Sequence, residues 1–339
     1  MGGDKAPAEI VRGGVEAANG LGDVRVILVG DEARIKAELA KCSKEADAAV
    51  RNGKLEIVHA PDEVAMDDSP AQAVRSKKNC SINVAMRLVK EKKADAFVSA
   101  GNSGAVAASA VLTLGRIPGV QRPAIATILP TRKPTRPILL LDAGANMDCH
   151  PDWLVQFAIM GSVYSKAVLK RQFPKVGLLS IGTEDCKGNE MTKETFTLLK
   201  EVKCIDFRGN VEGHDVYTGR NDVVVCDGFV GNVVLKTSES LAKAMGYFLK
   251  KECFRGPLRF LGAVLLKGAF KSLKHQLDPD IYGGAPLLGV PGAVIITHGA
   301  STHKAIYYAC KAGANAARND VTGEIARNVS EYENARKTL

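Results

Sequence analysis

The chain of 339 residues is poor in aromatics, which make up 5% of it, with a single tryptophan. Proteins that hold single-stranded nucleic acid stack bases on aromatic side chains set among basic ones. That interleaving is absent, so no nucleic-acid partner is expected. No apolar run approaches the ~20 residues of a membrane-crossing helix. The opening Met1-Gly2-Gly3-Asp4 has no apolar leader core, so a cytoplasmic protein is expected. The eight cysteines form no Cys-x-x-Cys pair and sit at no zinc-finger spacing with histidine. Reduced thiols are expected, with Cys149 and Cys186 as small fillers of their loops rather than nucleophiles. There is no Gly-x-Ser-x-Gly elbow, no internal repeat and no low-complexity linker. Asp4, Asp142, Asp148 and Asp227 fit no standard metal-binding spacing, so neither metal nor cofactor is expected.

What is present is alternation. Short β-rich runs such as Val24–Val29, Leu55–Val58, Ala96–Ser99, Ile125–Leu129, Ile138–Leu141, Val176–Ile181, Val223–Val225 and Val294–Thr297 alternate with helical patterns. This order predicts an α/β fold: a mostly parallel sheet between two helical layers. The length allows one large α/β domain, here 1–339, or two lobes. Ligands of such sheets bind outside the carboxyl ends of the strands. Several strand exits are rich in Gly, Asn and Asp: Ser99–Gly104, Asp142–Asp148, Gly182–Glu190, Gly209–Asp215 and Cys226–Asn232, with His298–Ser301 as a possible sixth. Five such exits at one sheet edge would make a shared polar cleft, although each alone is ordinary turn chemistry.

Cys226-Asp227-Gly228-Phe229-Val230-Gly231-Asn232 follows a strand and opens a helix. Unpaired N–H groups and the positive end of the helix dipole favour an anion there. Asn102, Ser103 and Gly104 open another helix and form a second candidate cradle, with Gly101 before them. Residues 254–277 depart from the alternation. They carry Arg255, Arg259, Lys267, Lys271 and Lys274 and no acidic residue, with Leu258, Leu261 and Leu265 at helical spacing. Gly256-Pro257, Gly262 and Gly268 should break the segment into two short helices. A basic amphipathic arm of this kind suits an anionic membrane surface or a second subunit. The net charge of +9 favours an acidic partner in general.

A set of motifs running the length of the chain resembles the PlsX-type phosphate acyltransferases. It includes Met1-Gly2-Gly3-Asp4, Ala6-Pro7, Phe97–Asn102, Leu114–Gly119, Asp148-Cys149, Val155–Ala158, Gly188-Asn189-Glu190, Gly209–Gly213, Cys226–Asn232 and Tyr282–Gly289. The resemblance implies transfer of an acyl group from acyl carrier protein to orthophosphate, giving acyl phosphate for phospholipid synthesis. It also implies the isocitrate/isopropylmalate dehydrogenase-like fold shared with phosphate acetyltransferases, a homodimer, and a cytoplasmic enzyme peripherally associated with the membrane. The family pattern has a short strand ending in Asp-Ala before the Met-Gly-Gly-Asp block. It has His where Lys5 stands, and Asn where Pro291 stands.

That reaction needs position and charge stabilisation more than a strong acid or base. Lys187, between a strand exit and the Gly188-Asn189-Glu190 helix start, is the first catalytic candidate, a cation for phosphate or the forming oxyanion. The resemblance points to the same lysine. Asn232 is the second, as a donor to the oxyanion. Asn146, Asn210, Gly228 and Gly231 are expected to line the phosphate site, and His214 and His298 are weaker candidates. Phe157, Ile159, Met160, Phe229, Val230, Leu287 and Leu288 are possible linings of an acyl channel. Two other readings stay open: a phosphate acetyltransferase acting on short acyl-CoA, and a non-catalytic scaffold for carrier protein and membrane.

Overall fold

Among the described residues the chain forms ten strands. They are β1 (Val26–Gly30), β2 (Leu55–His59), β3 (Ala96–Ser99), β4 (Ala124–Leu129), β5 (Ile138–Leu141), β6 (Lys175–Leu179), β7 (Asp206–Val211), β8 (Val223–Val225), β9 (Ala285–Leu288) and β10 (Ala293–Ile296). The computed structural model describes residues 1–337. Thr338 and Leu339, the end of the expected 1–339 domain, lie outside the described residues, as do the side chains of Ser43, Lys274, His275 and Pro279.

β1 and β2 pair in parallel as a small separate sheet, and the other eight strands form one sheet in the order β3-β10-β9-β4-β5-β8-β6-β7. β10 with β3, β5 with β8, β8 with β6 and β6 with β7 run parallel. β9 is antiparallel to β10 and β4, and β4 is antiparallel to β5. The sheet is therefore more mixed than expected. The reason is connection length: residues 289–292 join β9 to β10 and residues 130–137 join β4 to β5. Both links are shorter than the dozen or so residues a parallel crossover requires.

The reversal at β4–β5 sorts the loops. β5, β8, β6 and β7 run one way, so the loops after them leave from one end of the sheet. β3 and β10 run the other way, so the Asn102 and His298 loops leave from the opposite end. Four of the five polar exits share an edge, and the Ser99–Gly104 exit does not.

Both faces of the sheet are covered. In β5, Leu139 and Leu141 enter one apolar cluster while Ile138 and Leu140 enter another, and β8 divides in the same way at Val224. The helix Pro151–Ala167 fills the first face and buries Phe157, Ile159 and Met160 completely or nearly so. Leu287 and Leu288 are also core. These five side chains pack the interior and do not line an open channel, whereas Phe229 and Val230 are exposed.

The helix Gly228–Cys253 is 26 residues long, and the helices Pro257–Leu265 and Lys267–Gln276 follow it. Gly256, at φ +115°, makes the break, and Pro257 opens the next helix with a φ already suited to it. Gly262 and Gly268 stay inside helices instead of breaking them. No residue of Pro257–Leu265 is buried; Leu258 is 84% exposed and Leu265 79%.

Candidate active site

The site is built around Asp142, the residue that follows β5 and is wholly buried. Its carboxylate accepts the N–H groups of Ile125 (3.0 Å), Gly144 (3.2 Å), Ala145 (3.1 Å) and Asn146 (2.7 Å), and the Asn146 amide at 2.9 Å. Burial pushes the carboxyl above its ordinary range, and the N–H donors pull it back. Every partner is a donor, so the loop is made for the ionised form. Asn146 also donates to the Pro123 carbonyl at 2.8 Å, so both its amide contacts are internal.

The helix at Gly228 is pressed against this loop. A Cβ on Gly228 would lie 2.5 Å from the Asn146 carbonyl oxygen and 2.9 Å from Asp142 Oδ2. A Cβ on Gly231 would meet the Asp142 carbonyl and the Cys226 sulfur. Both positions therefore need glycine for close approach, not for a special φ. The helix start is less open to anions than its sequence suggests. Gly228 N–H donates to the Asn146 carbonyl at 2.7 Å, and Val230 N–H to the Asp227 carboxylate at 2.9 Å. Asp227 thus already places a negative charge at the positive pole. Asn232, one turn on, is half-buried beside Gly144, and its amide has no hydrogen-bond partner among the described residues.

β6 is the neighbour of β8, about 4.8 Å away as adjacent strands are, and the loop after it carries Lys187. Glu184 accepts the Lys187 N–H at 3.0 Å, closing a turn, and the Ser180 hydroxyl donates to the Lys187 carbonyl at 3.3 Å. The Lys187 stem lies over Gly182, where a Cβ would meet it at 2.8 Å. The side chain is exposed, and its ammonium has no partner among the described residues. Asn210, read from sequence as part of a loop, is the penultimate residue of β7 and donates to the Glu184 carbonyl at 2.8 Å.

At the opposite sheet end Asn102 is a buried cap. It accepts from Ala105 N–H at 3.0 Å and donates to the carbonyls of Met66 and Asp68 at 3.1 and 3.2 Å. Its side chain is fully engaged; Ser103 and Gly104, both exposed, have backbone N–H groups with no partner among the described residues. None of Asn102's partners comes from the Lys187 or Asn232 loops. Gly101 donates to the Ser99 hydroxyl. His298 accepts from Ala300 N–H. Glu212, His214 and Asp215 bring three ligand-type atoms within 4.8 Å, with Arg220 also 3.5 Å from Asp215. Burial pushes the Cys149 thiol up to about 12, so it stays protonated near neutral pH and is a poor nucleophile.

A family model described as fatty acid synthesis protein matches residues 1–324. The phosphate acyltransferase of Desulfitobacterium hafniense is 49% identical over 338 residues, covering 99% of this chain and 98% of the relative. That of Nostoc sp. is 48% identical over 334 residues, covering 98% and 94%. The chain belongs to the phosphate acyltransferase family. Among solved structures, a phosphotransacetylase from Streptococcus pyogenes superposes with TM-score 0.62 at 16% identity, covering 91% of each chain. A phosphotransacetylase from Staphylococcus aureus gives 0.57 at 17%, covering 92% of each. These neighbours share the fold of the family member described here.

In this phosphate acyltransferase family member the residues that sequence reasoning underrated are Asp142 and Asp227. The sequence reading takes them as members of polar strand exits and as aspartates at no metal-binding spacing, not as a loop anchor and a helix cap. Their signal is an aspartate within a few residues of glycines at a strand exit, a pattern that also marks caps and loop anchors.

Proposed function

We propose that the chain transfers a fatty acyl group from acyl-[acyl-carrier-protein] to orthophosphate. The observation that carries this reading is the pair of uncommitted polar groups at one sheet edge: the Lys187 ammonium and the Asn232 amide, after neighbouring parallel strands. A phosphate oxygen attacks the thioester carbonyl, the carbon–sulfur bond breaks, and the carrier leaves as a thiol bearing the proton phosphate gives up. Lys187 holds the phosphate charge, and Asn232 donates to the carbonyl oxygen as it becomes an oxyanion. Preformed donors of this kind need no covalent acyl-enzyme, and the protonated Cys149 is consistent with that. The N–H groups of Ser103 and Gly104 remain a candidate second anion contact, whereas Asn146, Gly228 and Gly231 shape the wall on which Asn232 stands.

The excess of positive charge suits an acidic carrier protein. The exposed Leu258, Leu261 and Leu265, set among basic residues, suit contact with an anionic bilayer or with a second copy in a homodimer. A second reading, phosphate acetyltransfer with short acyl-CoA, is favoured by the fold shared with phosphotransacetylases. A test supplies phosphate with either long-chain acyl-carrier protein or acetyl-CoA and measures acyl phosphate. Phosphate-dependent product from the carrier substrate alone supports the first reading, and product from acetyl-CoA alone supports the second. Product from neither, in a folded protein that still binds carrier, would leave a scaffold.

A further inference from the structure

Asn210 makes a contact within the protein that its place among polar loops does not suggest. It is 7% exposed near the end of β7. Its Nδ2 donates to the Glu184 carbonyl at 2.8 Å, and the Lys187 N–H donates to the same oxygen at 3.0 Å. One carbonyl offers two lone pairs, and here both hold the turn that presents Lys187. Residues 183–187 are exposed, so little packing fixes their shape. Asn210 Oδ1 is buried with no partner among the described residues. Rotating the amide by half a turn would set Oδ1 against the Glu184 carbonyl, so the donor direction is fixed.

We propose that Asn210 is a positioning residue for Lys187, clamping the Glu184–Lys187 turn to β7 so that the ammonium is held at the reacting phosphate. This rests on the role given to Lys187 above. Asn210 acts through the backbone of the turn and does not touch phosphate.

The test uses the full chain with Asn210→Ala, Asn210→Asp and Lys187→Ala. It follows kcat, the KM for phosphate, and hydrogen exchange of a peptide spanning residues 182–190. Asn210→Ala should lower kcat by about 10- to 100-fold, as a displacement of about 1 Å does, with the KM for phosphate within about twofold. Asn210→Asp should lose at least as much, because a carboxylate oxygen would face the Glu184 carbonyl. Exchange in 182–190 should quicken in both Asn210 variants and stay unchanged in Lys187→Ala. A raised KM with kcat preserved would make Asn210 a phosphate ligand and overturn the proposal. Unchanged exchange in both variants would overturn it too. A Lys187→Ala protein with normal kcat would refute the role of Lys187 itself, an outcome separate from either result at Asn210.

Discussion

Gly228 gives the sharpest mechanical test of the site. Replacing it with alanine adds one methyl group at the place where the long helix meets the Asp142 loop. That Cβ would lie 2.5 Å from the Asn146 carbonyl oxygen, 2.9 Å from the Asn146 nitrogen and 2.9 Å from Asp142 Oδ2. Two of these three atoms are backbone, and Asp142 is pinned by its N–H donors, so no flexible side chain can yield. Ordinary contact begins at 3.4 Å, so the helix start must retreat by roughly 0.9 Å, the difference from 2.5 Å. The retreat stretches the Gly228 N–H to Asn146 carbonyl bond of 2.7 Å and carries Asn232 with it. Overpacking of this sort costs about 1–3 kcal/mol, and weakening one hydrogen bond adds about 1 kcal/mol. A shift of about 1 Å at a catalytic group can lower turnover about 100-fold. Urea unfolding and acyl-phosphate formation would read the two effects. Gly246→Ala, in the same helix with nothing within 4 Å of its Cβ, is the control. It should be neutral or up to about 1 kcal/mol more stable, since alanine suits a helix better than glycine. Gly228→Ala with wild-type stability and turnover would refute the close approach and the placing of Asn232.

Replacing Leu261 and Leu265, 57% and 79% exposed, with glutamate should release the protein from vesicles rich in anionic lipid. Unchanged co-sedimentation counts against the bilayer contact, and a smaller assembly than wild type in size-exclusion chromatography would assign the segment to a subunit interface. Glu9 accepts the His303 N–H at 2.6 Å, and this bond, followed by the His303 ring, lowers its carboxyl below the ordinary glutamate range. A lowered carboxylate contributes stability above its unfolded value of about 4.3 and loses it as pH falls through the folded value. Wild type should therefore exceed Glu9→Gln by about 1 kcal/mol near pH 7, a figure reduced for partial solvent screening. The gap should close below about pH 4; an equal gap at both ends of the range would contradict the linkage.

The parts of the fold legible in sequence are those whose signal is local. Ala96–Ser99, Ile138–Leu141 and Val223–Val225 coincide with their strands because each is a short, nearly all-apolar run between turn residues. β7 was hidden because Gly209, at φ +91°, and the register shift opposite Val176 and Leu178 interrupt its alternation. The helix Ala8–Gly20 was hidden because its buried face is Val, Ala and Gly, with Gly13 allowing close approach to His303 and Ile306. The reversal at β4–β5 was legible in the short link between Ile125–Leu129 and Ile138–Leu141, whereas the order of the strands was not, because pairing depends on partners remote in sequence. Without that reversal the Asn102 exit falls at the wrong edge. Lys187 and Asn232 stand out in the sequence as a cation and an amide near strand exits, and the structure leaves both side chains without a hydrogen-bond partner among the described residues. The contacts of Asp142 and Asn210 were not legible because they reach distant groups: the Ile125 N–H for Asp142 and the Glu184 carbonyl for Asn210.

The central claim is that Asn232 donates to the carbonyl under attack by phosphate. Steady-state kcat for phosphate-dependent acyl-phosphate formation by Asn232→Ala, with the unfolding midpoint checked alongside, tests it most directly. The expected kcat is lower by about 100- to 1,000-fold, the loss typical of one oxyanion donor, in a protein that unfolds like wild type. A kcat within about threefold of wild type, small beside the ~10²-fold minimum for such a donor, would contradict it.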